Sequence, residues 1–561
     1  MSTQLLYDAI TLIDDDLIDE AADWAPARRK VVHWKRWTAL AACLAVVLGA
    51  GGLMKLGLFG GMGGNSGSAG NAGSNAYAYD GTDDGSTEFM SYAGPVLPLT
   101  TLESADALDV QRELALDFAP WEKVWYSNEE HAAETVGTDS ADYQEALDQY
   151  YEWYPEGGYY RTSTDLLVTD TYTLTNSTAE DQTFTALYPF VSSLIDLSST
   201  VPTLTADGEA QEAELICGPY SGGFQGVLGA DDPEGSSNLN QLTSWTDYKA
   251  LLADGSYLEQ ALAAPADLSG TSAVVYEFTN VEGPARTDDI PNPSVRVWFD
   301  MDYDKTTVLS YGFHSGSYDP DAGEMGLGFS IREPDFRRYG QPYYLIVLGD
   351  DVENMEIEGY VTGGWDTEKK LDEFNVDVRR YETDLDTILR ECVGYIYDNN
   401  EWQYSGSLGV DLETYYALFC DHLMAYGLLA EDGGAERYDR GWLSELSEVG
   451  AVDRVCYLKT EITVPAGASV TLAAQLRKPA SFDYHCAHTE NQGVYGYDAV
   501  TRLGSTLTFT RQTAELLDRG VIGIVRQNFG FDLAAGITSV TLDPAVEHYY
   551  LEVRRLPEND G

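Results

Sequence analysis

Asp300, Asp302 and Asp304 alternate, and on a strand that spacing points all three carboxylates to one face. Like charges so arranged either stay solvated or share a cation, and an all-oxygen donor set suits calcium. The run opens like an EF-hand loop. Lys305 stands where that loop needs glycine, however, and Tyr311 where it needs glutamate, so an EF-hand is excluded. Calcium at this acidic face is the one metal these residues could hold, and no other cofactor is indicated. Asp319, Asp321 and Glu324 around Gly323 form a similar acidic turn. His485, Cys486 and His488, with Cys420 and His422, carry zinc-type donors, but at spacings unlike known ligand pairs.

Aromatic rings are the second group with chemical potential. Trp121, Trp125 and Tyr126 form one cluster, and Tyr150, Tyr151, Trp153, Tyr154, Tyr159 and Tyr160 form another. Exposed flat rings stack on sugars, with neighbouring carboxylates accepting hydroxyl hydrogen bonds; Trp121, Trp125, Trp153 and Tyr159 are the candidate glycan-stacking residues. The alternative is that the same rings fill a core. No HExxH, phosphate-binding glycine loop, G-x-S-x-G elbow or papain-like cysteine context occurs, and carboxylate pairs are too common in this chain to point to glycoside hydrolysis. The sequence therefore predicts no enzyme.

The elements that must carry these residues read as mainly β with helical insertions. Period-2 alternation over 165–176, a polar turn, and renewed alternation over 182–190 predict a half-buried antiparallel hairpin. The pattern turns helical over 242–264, and strands follow at 272–281, 294–302, 306–313 and 343–348, with an Asp/Lys turn near Lys305. Capped helices open at Thr383 and at Asp411. From Arg454 onward a second turn-linked hairpin near Ala466 and further short strands predict a sandwich of about seven strands. The likeness of the hairpins near Asn176 and Ala466 suggests two related β-sandwich-like modules.

Before these modules, residues 37–54 carry no charge, and with Leu56, Leu58 and Phe59 the apolar run spans about 27–35 Å as a helix, enough to cross a bilayer. Arg28, Arg29, Lys30, Lys35 and Arg36 precede it and acids follow, which places the N-terminus in the cytoplasm and the remainder outside the plasma membrane. Leu40–Cys43 resembles a lipoprotein box, yet it opens the apolar run instead of closing it. In the tail, Leu6, Ile10, Ile13 and Leu17 fall on one face of an amphipathic helix, a candidate contact for a cytoplasmic protein. The Gly/Ser/Asn-rich stretch after Gly60 is a flexible tether, with a reach of about 30–35 Å.

The expected organisation is a tail at 1–36, a transmembrane helix at 37–59 and a tether at 60–94. A first β-rich module at 95–235, an α+β middle at 236–450 and a C-terminal β-sandwich-like module at 451–561 follow. A hydrophobic content of 44% is enough for packed domains, and a net charge of −59 argues against nucleic acid and anionic lipid as partners. Five cysteines follow Cys43, an odd number that does not read as a disulfide framework. Cys392 and Cys420 lie on or beside apolar helical stripes, and a Cys456–Cys486 bridge is conceivable.

The acidic tail from Tyr7 to Ala21, the basic stop HisTrpLysArgTrp from His33 and the start of the span, ThrAlaLeuAlaAlaCysLeu, resemble bitopic surface proteins of clostridia. Some of these share the layout of membrane-anchored anti-sigma factors. The resemblance covers the first 55 or so residues and implies a sensory or regulatory single-pass protein. The tail departs from zinc-type anti-sigma domains in having no cysteine and a single histidine, His33. The other expectation is a cell-surface module that binds glycan or protein and does not signal.

Overall fold

In Leu166–Asn176 every second side chain is buried, from Leu166 through Val168, Asp170, Tyr172 and Leu174 to Asn176, so the sequence alternation is the one the fold uses. The computed structural model describes residues 91–220, 245–331, 342–363, 369–404, 408–425, 443, 445–483, 491 and 493–557. Leu6, Ile10, Ile13 and Leu17, the span 37–59, residues 60–90 of the tether and Cys486 lie outside the described residues. Strand predominates and is gathered into several sheets. No helix among the described residues is long and apolar enough to cross a membrane.

A seven-stranded sheet runs in the order Ser539–Thr541, Phe509–Leu517, Leu108–Asp117, Leu166–Asn176, Ser469–Lys478, Thr203–Ala206 and Glu209–Ala210. A four-stranded sheet holds Glu214–Tyr220, Arg454–Val464, Gln182–Ser192 and Thr100–Thr101. A five-stranded sheet adds Ser91–Tyr92, Phe482–Asp483, Val494–Val500, His548–Arg555 and Ile522–Gln527. One core joins all three through side chains such as Val168, Tyr172, Phe184, Leu458, Tyr497 and Leu551. Residues 95–235 and 451–561, expected as separate modules, therefore share their sheets: Gln182–Ser192 pairs with Arg454–Val464, and Leu166–Asn176 with Ser469–Lys478. The end of the expected tether belongs to them too, since Ser91 and Tyr92 pair with Asp483 and Phe482.

The segments read as hairpins are arches. Leu166–Asn176 lies in the seven-stranded sheet and Gln182–Ser192 in the four-stranded one, so the turn between them crosses from sheet to sheet. Arg454–Val464 and Ser469–Lys478 repeat the crossing. The two arches lie against each other, and Asn176 ties their turns: its Nδ2 donates to the carbonyls of Glu180 and Val464 at 2.8 and 3.0 Å.

Residues 272–384 form two sheets of their own. Thr306–Tyr311, Tyr343–Gly349, Ser272–Glu282 and Asn375–Asp384 make the first; Ser315–Asp319, Glu324–Ser330, Ser294–Asp300 and Glu353–Tyr360 make the second. Phe278, Leu345 and Val347 meet Val297, Leu327 and Phe329 between them. The helices Leu385–Tyr404 and Leu412–Ala425 join the other core, where Val275 and Ile346 of the first sheet gather with Ile388, Cys392, Phe419 and Cys420. Both cysteines are buried there, as their apolar stripes predict. The first helix starts after Thr383 because the Asp384 carboxylate caps it, accepting the Thr387 amide at 2.9 Å; Asp411 caps the second through the Thr414 amide.

Candidate functional site

Between the neighbouring strands Leu108–Asp117 and Leu166–Asn176 the chain leaves the sheet and builds a small subdomain. A ribbon of Val124–Ser127 paired with Gly158–Arg161 embraces the helices Asn128–Val136 and Tyr143–Trp153. Ser127 and Glu130 form a capping box, the Ser127 Oγ accepting the Glu130 amide at 3.2 Å and the Glu130 carboxylate accepting the Ser127 amide at 2.9 Å. The Asn128 side chain closes the loop on the Tyr154 carbonyl at 2.9 Å. Gly158 has φ 154°, and any Cβ there would lie 2.3 Å from the Tyr126 carbonyl oxygen, so the ribbon requires glycine.

Strand alternation then sorts the rings. Tyr126 and Tyr159 face the helices, where Tyr159 stacks on Tyr154 at 4.4 Å and His131 stacks on Tyr150 at 3.8 Å. Burial holds the His131 imidazole below its usual range, so it sits neutral among the rings. Burial, with the hydrogen bond Tyr126 donates to Glu134, pushes the Tyr126 phenol up, and the Arg161 guanidinium covers its ring at 3.9 Å. Trp125 and Tyr160 face the other way. They meet edge to face at 5.1 Å and remain 42% and 62% exposed. Trp153 and Tyr151, at the end of the second helix, are exposed as well. The Tyr151 hydroxyl donates to the Glu129 carboxylate at 2.7 Å, which fixes that ring and draws Glu129 below its usual value.

The four rings singled out by sequence thus part company. Trp125 and Trp153 are exposed, Tyr159 is half-buried within the subdomain, and Trp121 is wholly buried. Trp121 anchors the subdomain to the sheets, packed edge to face on Phe118 and Tyr495 with Arg555 over its ring at 5.0 Å. Tyr160 and Tyr151 join the exposed set, although sequence reading did not select them. Both helices of the subdomain were missed too, and the legible signal was the Ser127-x-x-Glu130 cap.

Asp300, Asp302 and Asp304 do not converge. The strand ends at Asp300, whose carboxylate accepts from Asn354 at 2.7 Å. Asp302 caps its own turn through the Asp304 amide at 3.0 Å and pairs with Lys305. That turn crosses between the two sheets of residues 272–384 and is not an extended acidic face. Among the described residues no three metal-ligating side chains gather into a site. No known family model, curated protein or solved structure matches the chain.

Proposed function

We propose that this chain is a single-pass surface protein of the plasma membrane whose β-rich region binds carbohydrate through the rings of residues 124–161. The observation that carries the reading is the outward pair Trp125 and Tyr160, large aromatics held edge to face on a ribbon that presents them to solvent. Rings so fixed lose little freedom on stacking against a sugar face. Within residues 122–161 acidic side chains, among them Glu122, Glu129, Glu152 and Glu156, outnumber Arg161 and Lys123, whose ammonium lies over the Tyr160 ring at 6.0 Å, and this balance favours a neutral sugar or an amino sugar over an anionic polysaccharide. The reading assigns binding and no catalysis.

The stripe Leu6, Ile10, Ile13 and Leu17 favours a second layer: a tail that holds a cytoplasmic protein and makes the chain a sensory, anti-sigma-like regulator. A glycan array probed with the full chain in nanodiscs tests the first layer. Binding to neutral glycans that falls about tenfold in Trp125→Ala, roughly the stacking energy of one ring, supports it. Silence across the array, or equal binding by Trp125→Ala, removes it. Capture of a cytoplasmic protein by the full chain, abolished by charging Ile10 and Ile13, tests the second.

A further inference from the structure

The polypeptide leaves the terminal sheets along Glu214–Tyr220 and returns along Arg454–Val464, and these two strands pair antiparallel. Everything in sheets and helices between 245 and 450 is inserted between them. In that pairing Cys217 stands directly opposite Cys456. Their sulfurs are 3.5 Å apart, and both side chains are buried in the core between the sheets.

We propose that Cys217 and Cys456 form a disulfide that locks the two strands through which the inserted region leaves and rejoins the terminal sheets. Directly opposed residues of an antiparallel ladder have Cα atoms about 4.5 or 5.5 Å apart, and both values fall within the window a disulfide spans. Closing the present sulfur gap therefore asks for side-chain rotation and no movement of the strands. Cys217 is 9% exposed and Cys456 is fully buried, so Cys217 is the thiol an oxidant meets first. The two thiols also differ in the sense the chemistry needs. The hydrogen bond from the Cys456 thiol, with the Arg454 charge nearby, lowers Cys217 against the opposing effect of burial, while burial holds Cys456 well above its usual value.

The oxidant is a small-molecule or protein disulfide of the kind present outside the cytoplasm. The Cys217 thiolate attacks one of its sulfurs, forming a mixed disulfide and expelling one oxidant thiol. Cys456, giving its proton to solvent, displaces the second oxidant thiol from Cys217. Two protein thiols become one disulfide, and the oxidant disulfide becomes two thiols, with two electrons and two protons transferred. The closed loop carries the whole inserted region: the two cysteines are 239 residues apart in sequence. Such a closure restrains the unfolded chain strongly.

The test is peptide mapping of the full chain in nanodiscs after exposure to glutathione disulfide, with free thiols alkylated under denaturing conditions before digestion. The expected result is a Cys217–Cys456 cross-linked peptide that disappears on reduction, with Cys392 and Cys420 alkylated. Alkylation of both Cys217 and Cys456 at every oxidant concentration overturns the proposal, as does a bridge from Cys456 to Cys486. In the same preparations oxidation raises the melting temperature of the wild type by about 5 °C and leaves that of Cys217→Ser unchanged. An equal rise in Cys217→Ser counts against the bridge. The mapping needs no variant, so a misfolded substitution does not leave the question open.

Discussion

The sheets assembled from the two ends of the chain bury ion pairs, whereas in the sheets of residues 272–384 the ion-paired cations are exposed and the buried Arg296 lies against the rings of Trp298 and Tyr360. In the first group Arg112 donates to both oxygens of Asp170 at 2.8 Å with side-chain exposures of 1% and 0%, and Arg526 pairs with a buried Glu552. Tyr172 adds its hydroxyl to Asp170 at 2.7 Å. In the second group Arg379–Glu277, Arg380–Asp351 and Lys370–Glu358 have exposed cations, and the core between the sheets is aliphatic and aromatic. What sets the terminal sheets apart is not the separation within a pair, since Arg112 and Asp170 are 58 residues apart and the exposed Arg379 and its partner Glu277 are 102, but the third, remote segment that the buried Arg112 also engages. Arg112 also reaches the Val500 carbonyl, 388 residues away, so the terminal sheets are built from segments that no local turn brings into register. A one-residue slip there would strand a buried charge, a penalty that a purely apolar interface lacks. In residues 272–384 Ser272–Glu282 pairs with the distant Asn375–Asp384, and the ion pair across them, Arg379–Glu277, keeps an exposed cation.

Asp170→Ala leaves Arg112 buried without its carboxylate, and denaturant unfolding should show a loss of about 3–5 kcal/mol. Replacing Arg112 and Asp170 together by apolar residues should recover most of that loss, because no uncompensated charge remains. If the double variant is as unstable as the single one, the pair does more than satisfy itself and the comparison needs revision. Leu327→Ala, in the core of residues 272–384, should cost about 3 kcal/mol. Amide exchange should accelerate across those sheets and leave Leu166–Asn176 protected; acceleration shared by both groups would show one cooperative unit. Arg380→Ala should leave the melting temperature unchanged, since its ion pair is solvated. The smallest effect is one of pH. Lys370, and then the Tyr360 hydroxyl, hold the Glu358 carboxyl below its usual value of 4.5. This contribution is present above that value and fades as pH falls through the depressed one, so Lys370→Ala should slightly flatten the acid limb of stability against pH.

Much of the fold was legible in the sequence, because alternation reports which side of a strand is buried. The strands after 272 and the helices capped at Asp384 and Asp411 lie close to where periodicity and caps put them. Alternation is silent on which strand lies alongside. Residues 166–192 and 454–478 therefore read as hairpins, although a turn that crosses between sheets leaves the same pattern. The likeness of the two turns was a sign of stacked arches, not of repeated modules. Charges in inward register were the overlooked signal: Arg112 lies between Val110 and Leu114, Asp170 between Val168 and Tyr172, and opposite signs on two apolar stripes mark strands that meet. For the candidate site the clustering of rings was readable and their sorting was not. Trp121 and Trp125 are four residues apart, but one anchors a 3-10 turn in the core and the other lies on the outer face of a ribbon.

The most direct test of the carbohydrate-binding reading is hydrogen–deuterium exchange of the full chain in nanodiscs, with and without a saturating neutral oligosaccharide chosen from the array. Protection confined to residues 124–161, absent in Trp125→Ala, is the expected result. Protection elsewhere, or an exchange pattern the sugar does not alter, would contradict it.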